Sequence, residues 1–306
     1  LESVLFSTLC CRSDELLTAC HDFFDDRWSK RRTVTSLEWS TIFPELLLAA
    51  YHVNEEAVHD PQGVCLMWNM KYAKTQRPEY IFHCQSPLTS ATLSKFHPNI
   101  VIGGTYSGQI VLWDSRSNKR TPVQRSPLTS WAHTHPVFAV TLVGTQNAHN
   151  IISLGSDGSL CAWSLEMLAQ PREKTKVCEM SSGGLFDLYP TCMSFFDSDV
   201  NNYAVGAENG NAYCGQRHSR SVPCARLSFR GTGTPDKPGS GNLALNKCRW
   251  DSSGNFLAAG DNHGKVTVCS VHESLAQPNA EQWTEFARCL ADLKQYNLEQ
   301  DVRAEV

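Results

Sequence analysis

The chain has 306 residues, enough for one large domain or two smaller ones with a substantial core. Its net charge of −4 removes the electrostatic reason to expect general nucleic-acid binding. No run approaches the roughly 18 apolar residues of a membrane span, and the apolar residues 4–11 lack the basic lead-in of a signal peptide. We therefore expect a soluble protein without membrane insertion. We also expect a fragment of a longer protein, because the chain begins at Leu1 rather than at Met.

The N-terminal residues 1–32 are predicted to form a short leader. Phe23, Phe24 and Trp28 lie in this leader, and we expect their rings to pack on the domain that follows. That domain is predicted to extend over residues 33–279.

Internal repetition is the strongest pattern in residues 33–279. Five glycines are each followed by apolar or small residues two and four positions later, and three of them by a tryptophan five positions later. The glycines are Gly63, Gly108, Gly158, Gly210 and Gly264, and the tryptophans are Trp68, Trp113 and Trp163. The intervals between the glycines, 45, 50, 52 and 54 residues, are close to the length of one propeller blade.

Each glycine follows two short β-type runs, so each unit is predicted to contain three consecutive strands. The nearer runs are residues 46–51, 100–104, 151–155, 203–206 and 256–260, and the farther ones are residues 37–39, 93–96, 140–142, 193–195 and 248–250. Four of the glycines end the pairs Ser107-Gly108, Asp157-Gly158, Asn209-Gly210 and His263-Gly264. These pairs predict tight hairpin turns, because glycine accepts the positive φ that such turns require. The predicted fold class is an all-β propeller with five visible units.

A tryptophan that ends the third strand, six residues after an aspartate in the hairpin turn, is typical of the WD repeat. In that family the aspartate, the tryptophan N–H, a strand hydroxyl and a histidine form a hydrogen-bonded set inside the blade. Only the third unit approaches this set, with Asp157, Trp163, Ser153 and either His133 or His135. We interpret these residues, with Trp68 and Trp113, as structural. The two histidines have no carboxylate or cysteine at a recognisable metal-site spacing, so no metal is expected.

The thirteen cysteines are scattered along the chain, and none forms a Cys-x-x-Cys pair. Several lie in apolar runs, namely Cys65, Cys161, Cys192 and Cys269. This distribution predicts reduced, buried thiols in the cytosol rather than a disulfide framework.

Two later segments depart from the repeat pattern. Residues 216–242 contain no repeat and include a Gly- and Pro-rich stretch, so they are predicted to be an irregular loop. Residues 280–306 are predicted to be a C-terminal helix and tail, with apolar residues at helical spacing. These are Trp283, Phe286, Leu290, Leu293 and Leu298.

Patterns of catalysis are missing from the sequence. Residues 103–108 superficially suggest a phosphate-binding loop, but they lack the Lys-Ser/Thr pair and lie between two predicted strands. No nucleophile elbow or His-Glu-x-x-His motif is present. We expect no enzyme activity and no cofactor.

A basic cluster follows the second unit's Trp113. It consists of Arg116, Lys119, Arg120 and Arg125, in a connection predicted to lie at the propeller surface. One interpretation is a solvated loop. The other is a docking site for an acidic protein surface.

Several stretches resemble cytoplasmic dynein intermediate chains. The longest is residues 103–127, GGTYSGQIVLWDSRSNKRTPVQRSP, and another is residues 24–30, FDDRWSK. Residues 64–72, 80–85, 144–149 and 164–168 resemble the same family. The similarity extends through nearly the whole chain.

The resemblance implies a non-catalytic motor subunit, cytoplasmic and microtubule-associated, whose propeller binds the tail of the dynein heavy chain. In the family, light chains and dynactin bind a separate N-terminal region, which we expect to be absent ahead of Leu1. The family propeller has seven blades, two more than the units counted here. Five such units would either remain an open arc, which would expose apolar faces near Gly215 and Leu243, or close under strain. A second interpretation is a WD-repeat adaptor outside dynein, such as a substrate receptor of a ubiquitin ligase.

Overall fold

The computed structural model of the chain is built almost entirely from β-strands. It describes residues 17–57, 59–75, 77–181, 184–195, 200–208, 211–217, 225–228, 245–251, 255–261 and 264–271, together with residues 284, 287, 288 and 291. The predicted loop 216–242 and the predicted C-terminal segment 280–306 lie mostly outside these residues. Within the described residues, no helix combines the length and apolar character needed to cross a bilayer.

Five four-stranded antiparallel sheets and one separate hairpin account for all the described strands. In chain order the strands are β1 (Leu17–Phe23), β2 (Val34–Trp39), β3 (Leu46–Tyr51), β4 (Gly63–Asn69), β5 (Tyr80–Cys84), β6 (Leu88–Leu93), β7 (Ile100–Thr105), β8 (Ile110–Asp114), β9 (Gln124–Arg125), β10 (Val137–Thr145), β11 (Ala148–Gly155), β12 (Ser159–Trp163), β13 (Glu173–Lys176), β14 (Cys178–Ser181), β15 (Gly184–Asp187), β16 (Pro190–Phe195), β17 (Asn202–Ala207), β18 (Asn211–Gln216), β19 (Ala225–Ser228), β20 (Leu245–Trp250), β21 (Phe256–Asp261) and β22 (Val266–Val271).

Each of the first four sheets is a meander of consecutive strands. The first sheet is β2–β5, the second β6–β9, the third β10–β13 and the fourth β16–β19, while β14 and β15 form the hairpin between the third and the fourth. The fifth sheet is different, because its order is β20-β21-β22-β1. Its outer strand therefore comes from the N-terminus of the chain.

The three strands predicted in each unit are confirmed, with one correction. Residues 93–96 were expected to form the first strand of the second unit, but β6 ends at Leu93. Ser94 instead begins a turn, in which its hydroxyl accepts hydrogen bonds from the backbone N–H groups of Phe96 (3.4 Å) and His97 (3.0 Å). A serine hydroxyl that binds the following backbone competes with strand pairing.

The hairpin glycines explain why the repeat pattern is so regular. Gly108, Gly158 and Gly264 have φ values of +91°, +78° and +88°, which confirms the tight turns predicted there. A Cβ on Gly108 would lie 2.8 Å from the carbonyl oxygen of His133, and one on Gly158 would lie 2.8 Å from that of Val177. Each of these glycines thus packs against the connection to the next sheet, where a side chain has no room.

The sheets pack side by side through their first strands, as the blades of a propeller do. Strand β20 contacts β2, β2 contacts β6, β6 contacts β10, and β10 contacts β16. The buried apolar residues form four clusters, one at each of these four junctions. Within the described strands, no comparable packing joins the fourth sheet to the fifth. Among the described strands, the arc is therefore continuous from the fifth sheet through the first to the fourth, and no described strand packs on the remaining sides of the fourth and fifth sheets, here called the open side.

The face of the fourth sheet that borders the open side has few large apolar residues among its described positions. Ala204 of β17 is exposed, and the side chains beside it on the same face are Cys192, Ser194 and Gly206, whereas Tyr203 and Val205 point to the third sheet and are buried. The expectation of apolar faces near Gly215 and Leu243 stays a prediction, because Leu243 and residues 218–224 and 229–244 lie outside the described part of the chain. Cys192 was predicted to be buried and is exposed because it points to the open side.

Candidate functional site

The propeller has two faces, which are distinguished by the loops they carry. The glycine-turn face, defined by Gly63, Gly108, Gly158 and Gly264, also carries the connections between sheets. The opposite face, here called the loop face, carries residues 94–99 and the start of residues 115–123 in the second sheet. Ser115 donates its backbone N–H to the carbonyl of Asn99 at 2.9 Å, which joins these two segments. The predicted basic cluster lies in and just after the second of them.

Arg116 is an exposed member of the cluster, and its charge is paired with that of a neighbouring carboxylate. Its guanidinium donates to both carboxylate oxygens of Asp114, with the shortest contact 2.8 Å long, and Asp114 also accepts the backbone N–H of Arg116 at 3.0 Å. The hydrogen bond from Arg116 lowers the pKa of Asp114 below its usual range. Arg116 therefore contributes little net charge to the face.

Arg120 lies at the outer edge of the propeller and is part of a stacked group. Its guanidinium is 5.8 Å from the centre of the Trp28 ring, and the guanidinium of Arg27 is 4.9 Å from the same ring. His83 stacks on Trp28 as well, with ring centres 6.1 Å apart. The backbone carbonyl of Arg120 accepts the N–H of His83 at 2.8 Å. These contacts fasten the segment around Trp28 to the first and second sheets and give Arg120 a structural role.

Lys119 and Arg125 are the cations of the cluster with the most freedom to meet a partner. Both are exposed, and within the described residues no carboxylate forms a salt bridge with either. Arg125 lines a groove of about 740 Å³ between the first and second sheets, together with Asp60 and Val123. The structure thus gives the four cations of the cluster four different surroundings.

The third unit contains most of the WD hydrogen-bonded set. The indole N–H of Trp163 donates to the hydroxyl of Ser153 at 2.8 Å, and His133 Nε2 lies 2.6 Å from the same oxygen. His133 is fully buried, and burial lowers the pKa of its imidazole to about 4, so it is neutral at pH 7. His135 is exposed and lies 3.7 Å from Asp157. Of the two histidines that the sequence left open, His133 therefore occupies the interior position.

Asp157 forms its hydrogen bonds within the hairpin turn rather than with the buried His133. Its carboxylate accepts the hydroxyl of Ser159 at 2.7 Å and the backbone N–H of Ser159 at 3.2 Å. The Nδ1 atom of His133 has no hydrogen-bond partner in the described part of the chain. The set is thus a chain from Trp163 through Ser153 to His133, with the aspartate held next to it.

The other two blade tryptophans lack the hydroxyl that Ser153 supplies. Gly103 stands opposite Val111 at the position equivalent to Ser153, and the buried indole nitrogen of Trp113 has no hydrogen-bond partner within the described residues. Trp68 donates instead to the phenol oxygen of Tyr51 at 3.2 Å. In the fourth sheet Gly215 replaces the tryptophan, and the Tyr203 ring lies where a side chain on Gly215 would be.

Arg32 is a structural residue that the sequence did not point to. It is 1% exposed, and its guanidinium donates to the carbonyl oxygens of His52 (3.1 Å), Gln62 (3.0 Å) and Pro61 (2.8 Å). Burial lowers its pKa from the usual value. The side chain fastens the long turn of the first sheet to the segment that leaves the fifth. A lone arginine before a strand carries no local signal of such a role.

A polar cavity of about 570 Å³ lies between the first strands of the sheets. Glu38, Lys95 and Arg249 lie along it. Glu38 accepts the backbone N–H of Leu93 at 3.1 Å, and burial raises the pKa of its carboxyl. Within the described residues, no group of three or more His, Cys, Asp or Glu side chains is placed to hold a metal.

Four-stranded sheets arranged around a central cavity, with the Trp-Ser-His chain in the third, define a WD-repeat β-propeller. No protein-family model matches the chain. It is 36% identical over 367 residues to the cytoplasmic dynein 1 intermediate chain of Drosophila melanogaster, a match that covers 92% of this chain and 55% of the relative. The chain is therefore a homologue of the cytoplasmic dynein intermediate chains, and it spans about half the length of that relative.

The alignment extends over 367 residues, whereas 92% of this 306-residue chain is about 282 residues, so about 85 aligned positions have no residue in this chain.

One solved structure matches part of the chain. The crystal structure of Chaetomium thermophilum Raptor matches 78% of this chain and 20% of its own length, with 17% identity and a TM-score of 0.45. Similarity at this level supports no conclusion about the present chain.

Proposed function

We propose that this chain is a non-catalytic subunit of cytoplasmic dynein whose propeller binds the dynein heavy chain and supports microtubule-based transport. The observation that supports this proposal is the 36% identity over 92% of the chain, which includes most of the described sheets. The expected location is the cytoplasm, on microtubules. ATP hydrolysis would belong to the heavy chain, and light chains and dynactin would bind elsewhere on the full-length protein.

The connection 115–123 and the strand β9 that follows it, at the outer edge of the second sheet, form the proposed docking surface. Lys119 and Arg125 carry its unpaired charge among the described residues, while Arg116 is neutralised by Asp114 and Arg120 is stacked on Trp28. Propellers bind partners through loops that the rigid sheets hold in place. Charges at the rim of an interface act mainly on the association rate and on its salt dependence.

The test is a binding measurement between the purified chain and a dynein heavy-chain tail fragment. The double variant Lys119→Glu, Arg125→Glu is expected to reduce the association rate by about tenfold at low salt and to weaken its dependence on ionic strength. The matched control is Lys30→Glu, because Lys30 is also exposed, lies on another segment and forms a 3.4 Å contact with Asp26. The control should bind like the unmodified chain.

The possible outcomes test the dynein assignment separately from the position of the docking surface. Unchanged kinetics in the double variant, with binding intact, would move the docking surface elsewhere and leave the dynein assignment in place. Absence of heavy-chain binding, together with recovery of ubiquitin-ligase subunits from cytosol, would contradict the assignment itself. ATP or GTP turnover by the purified chain would contradict its non-catalytic role.

A further inference from the structure

The strand that closes the propeller contains a bulge with a cysteine in it. In the pairing of β1 with β22, Ala19 lies opposite Cys269 and His21 lies opposite Val268. Cys20 is therefore the extra residue, and in such a bulge two residues of one strand face a single residue of the other. Opposed Cα atoms in antiparallel strands are about 4.5–5.5 Å apart. That spacing applies to Ala19 and Cys269, and Cys20 is the next residue of the same bulge, beside this pair. A disulfide bond joins residues whose Cα atoms are about 4.4–6.8 Å apart.

The two thiols belong to the same side of the fifth sheet. Phe23 and Val268 point toward the first sheet and are buried. The side that carries Cys269 also carries Asp22 and Thr267, whose side chains share a 3.0 Å hydrogen bond. Burial raises the pKa of Cys269, with a smaller contribution from Cys20.

This side of the fifth sheet borders the opening in the arc. Cys20 and Cys269 are both half-buried, and no described sheet packs over them. Cys65, Cys84 and Cys161 lie between sheets and are buried, and burial raises the pKa of Cys84 and Cys161 to about 12. Thiolates are the reacting species in disulfide exchange, so accessibility and proximity favour the pair at the opening.

We propose that Cys20 and Cys269 form an oxidation site whose disulfide locks β1 to β22, with a small disulfide such as oxidised glutathione as the oxidant. One cysteine thiolate attacks a sulfur of oxidised glutathione, forms a mixed disulfide and releases one glutathione thiolate. The second cysteine thiolate then displaces the other glutathione. In total, two protein thiols are oxidised to one disulfide, one oxidised glutathione is reduced to two glutathione thiols, and the two cysteine protons are transferred to them.

The lock joins the two ends of the propeller. The closed loop would contain almost all of the described chain, and a cross-link that closes a longer loop restricts the unfolded chain more. The oxidised protein is therefore expected to unfold at a temperature higher by at least about 5 °C. Reduction by dithiothreitol should reverse this shift.

The experiment uses the whole chain, oxidised glutathione at mildly alkaline pH, alkylation of the remaining thiols and peptide mapping by mass spectrometry without reduction. The expected product is a peptide pair that joins Cys20 to Cys269, with the protein lighter by two hydrogen atoms. Cys20→Ser and Cys269→Ser should each lose this link and carry one glutathione on the remaining cysteine. Cys192→Ser, the matched control at an exposed thiol, should form the link like the unmodified chain.

Three results would overturn the proposal. The first is glutathione on both Cys20 and Cys269 without a bond between them, and the second is a dominant bond to any other cysteine. The third is a correct bond that leaves the unfolding temperature unchanged, since the bond would then not lock the closure.

Discussion

The closed junction between the fifth and first sheets and the open side between the fourth and fifth differ in the size of their residues. At the closed junction, Ala258, Val266 and Val268 are fully buried, and the rings of Phe23 and Trp68 stack with centres 5.3 Å apart. On the face of the fourth sheet that borders the open side, the described residues Cys192, Ser194, Ala204 and Gly206 are small or polar. Large apolar residues thus occur where a neighbouring sheet covers them.

Equivalent positions make the difference clear. Leu48, Ile102 and Ile152 occupy one register position in the first three sheets, and all three are buried against the next sheet. The fourth sheet has Ala204 there, and it is exposed. The position of the blade tryptophans is held in the fifth sheet by Cys269. The stability of the fold therefore depends on four junctions, and each can be tested against the open side.

The largest effect is expected from Phe23→Ala at the closed junction. Phe23 is 2% exposed, and its removal leaves a cavity beside Trp68 and weakens the pairing of the closing strand. We expect a loss of about 3–5 kcal/mol in the free energy of unfolding, measured by chemical denaturation. Phe43→Ala is the control, because Phe43 is 42% exposed and its removal should cost less than about 0.5 kcal/mol. Equal losses would show that β1 does not close the arc.

Acidification should weaken the junction between the second and third sheets through His133. Its pKa is lowered to about 4 in the folded protein, so the unfolded chain binds more protons between about pH 6.5 and pH 4. This contribution to stability is complete above pH 6.5 and decreases as the pH falls, by about 3 kcal/mol at most.

The measurement is chemical denaturation at a series of pH values. His133→Asn keeps a polar group near Ser153 but does not titrate, so its stability should fall less than that of the unmodified chain over this range. His135→Asn, at the exposed position, should follow the unmodified chain. Parallel curves for His133→Asn and the unmodified chain would mean that His133 is solvated.

Two matched alanine-to-leucine substitutions compare the closed junction with the open side directly. Ala258 and Ala204 occupy the same register position, but Ala258 is fully buried against the first sheet and Ala204 is exposed. Ala258→Leu should destabilise the protein by about 1–3 kcal/mol because it overpacks the junction. Ala204→Leu should change the free energy of unfolding by less than about 0.5 kcal/mol. A similar cost for both would indicate that another part of the chain packs on the fourth sheet.

Thiol labelling compares the accessibility of the open side with that of the junctions between sheets in the unmodified chain. Iodoacetamide should modify the exposed Cys192 readily. The buried Cys65 and Cys161 should react more slowly by on the order of 100-fold, because they must wait for the sheets to open. Peptide mapping over time gives the rates. Protection of Cys192 equal to that of Cys161 would contradict an open side.

The sequence by itself determined the repeat architecture. The hairpin glycines and the two apolar runs before each are local signals, since positive φ and strand periodicity depend on neighbouring residues alone. The same signals located Trp68, Trp113 and Trp163 at the ends of third strands. The resemblance to dynein intermediate chains was also available from the sequence, and the comparison with a known relative supports it.

The tertiary structure alone decided how the units are joined and which of their side chains remain free to contact solvent or a partner. Strand β1 pairs with a segment about 245 residues away, and a pairing over that distance has no local sequence signal. Outer strands such as Glu173–Lys176 are short and exposed, so their sequences show no hydrophobic pattern. The interior place of His133 rather than His135, and the neutralisation of Arg116 by Asp114, depend on which atoms the fold brings within hydrogen-bond distance. The open side is decided in the same way, because whether a face is covered depends on the sheet beside it and not on the residues within it.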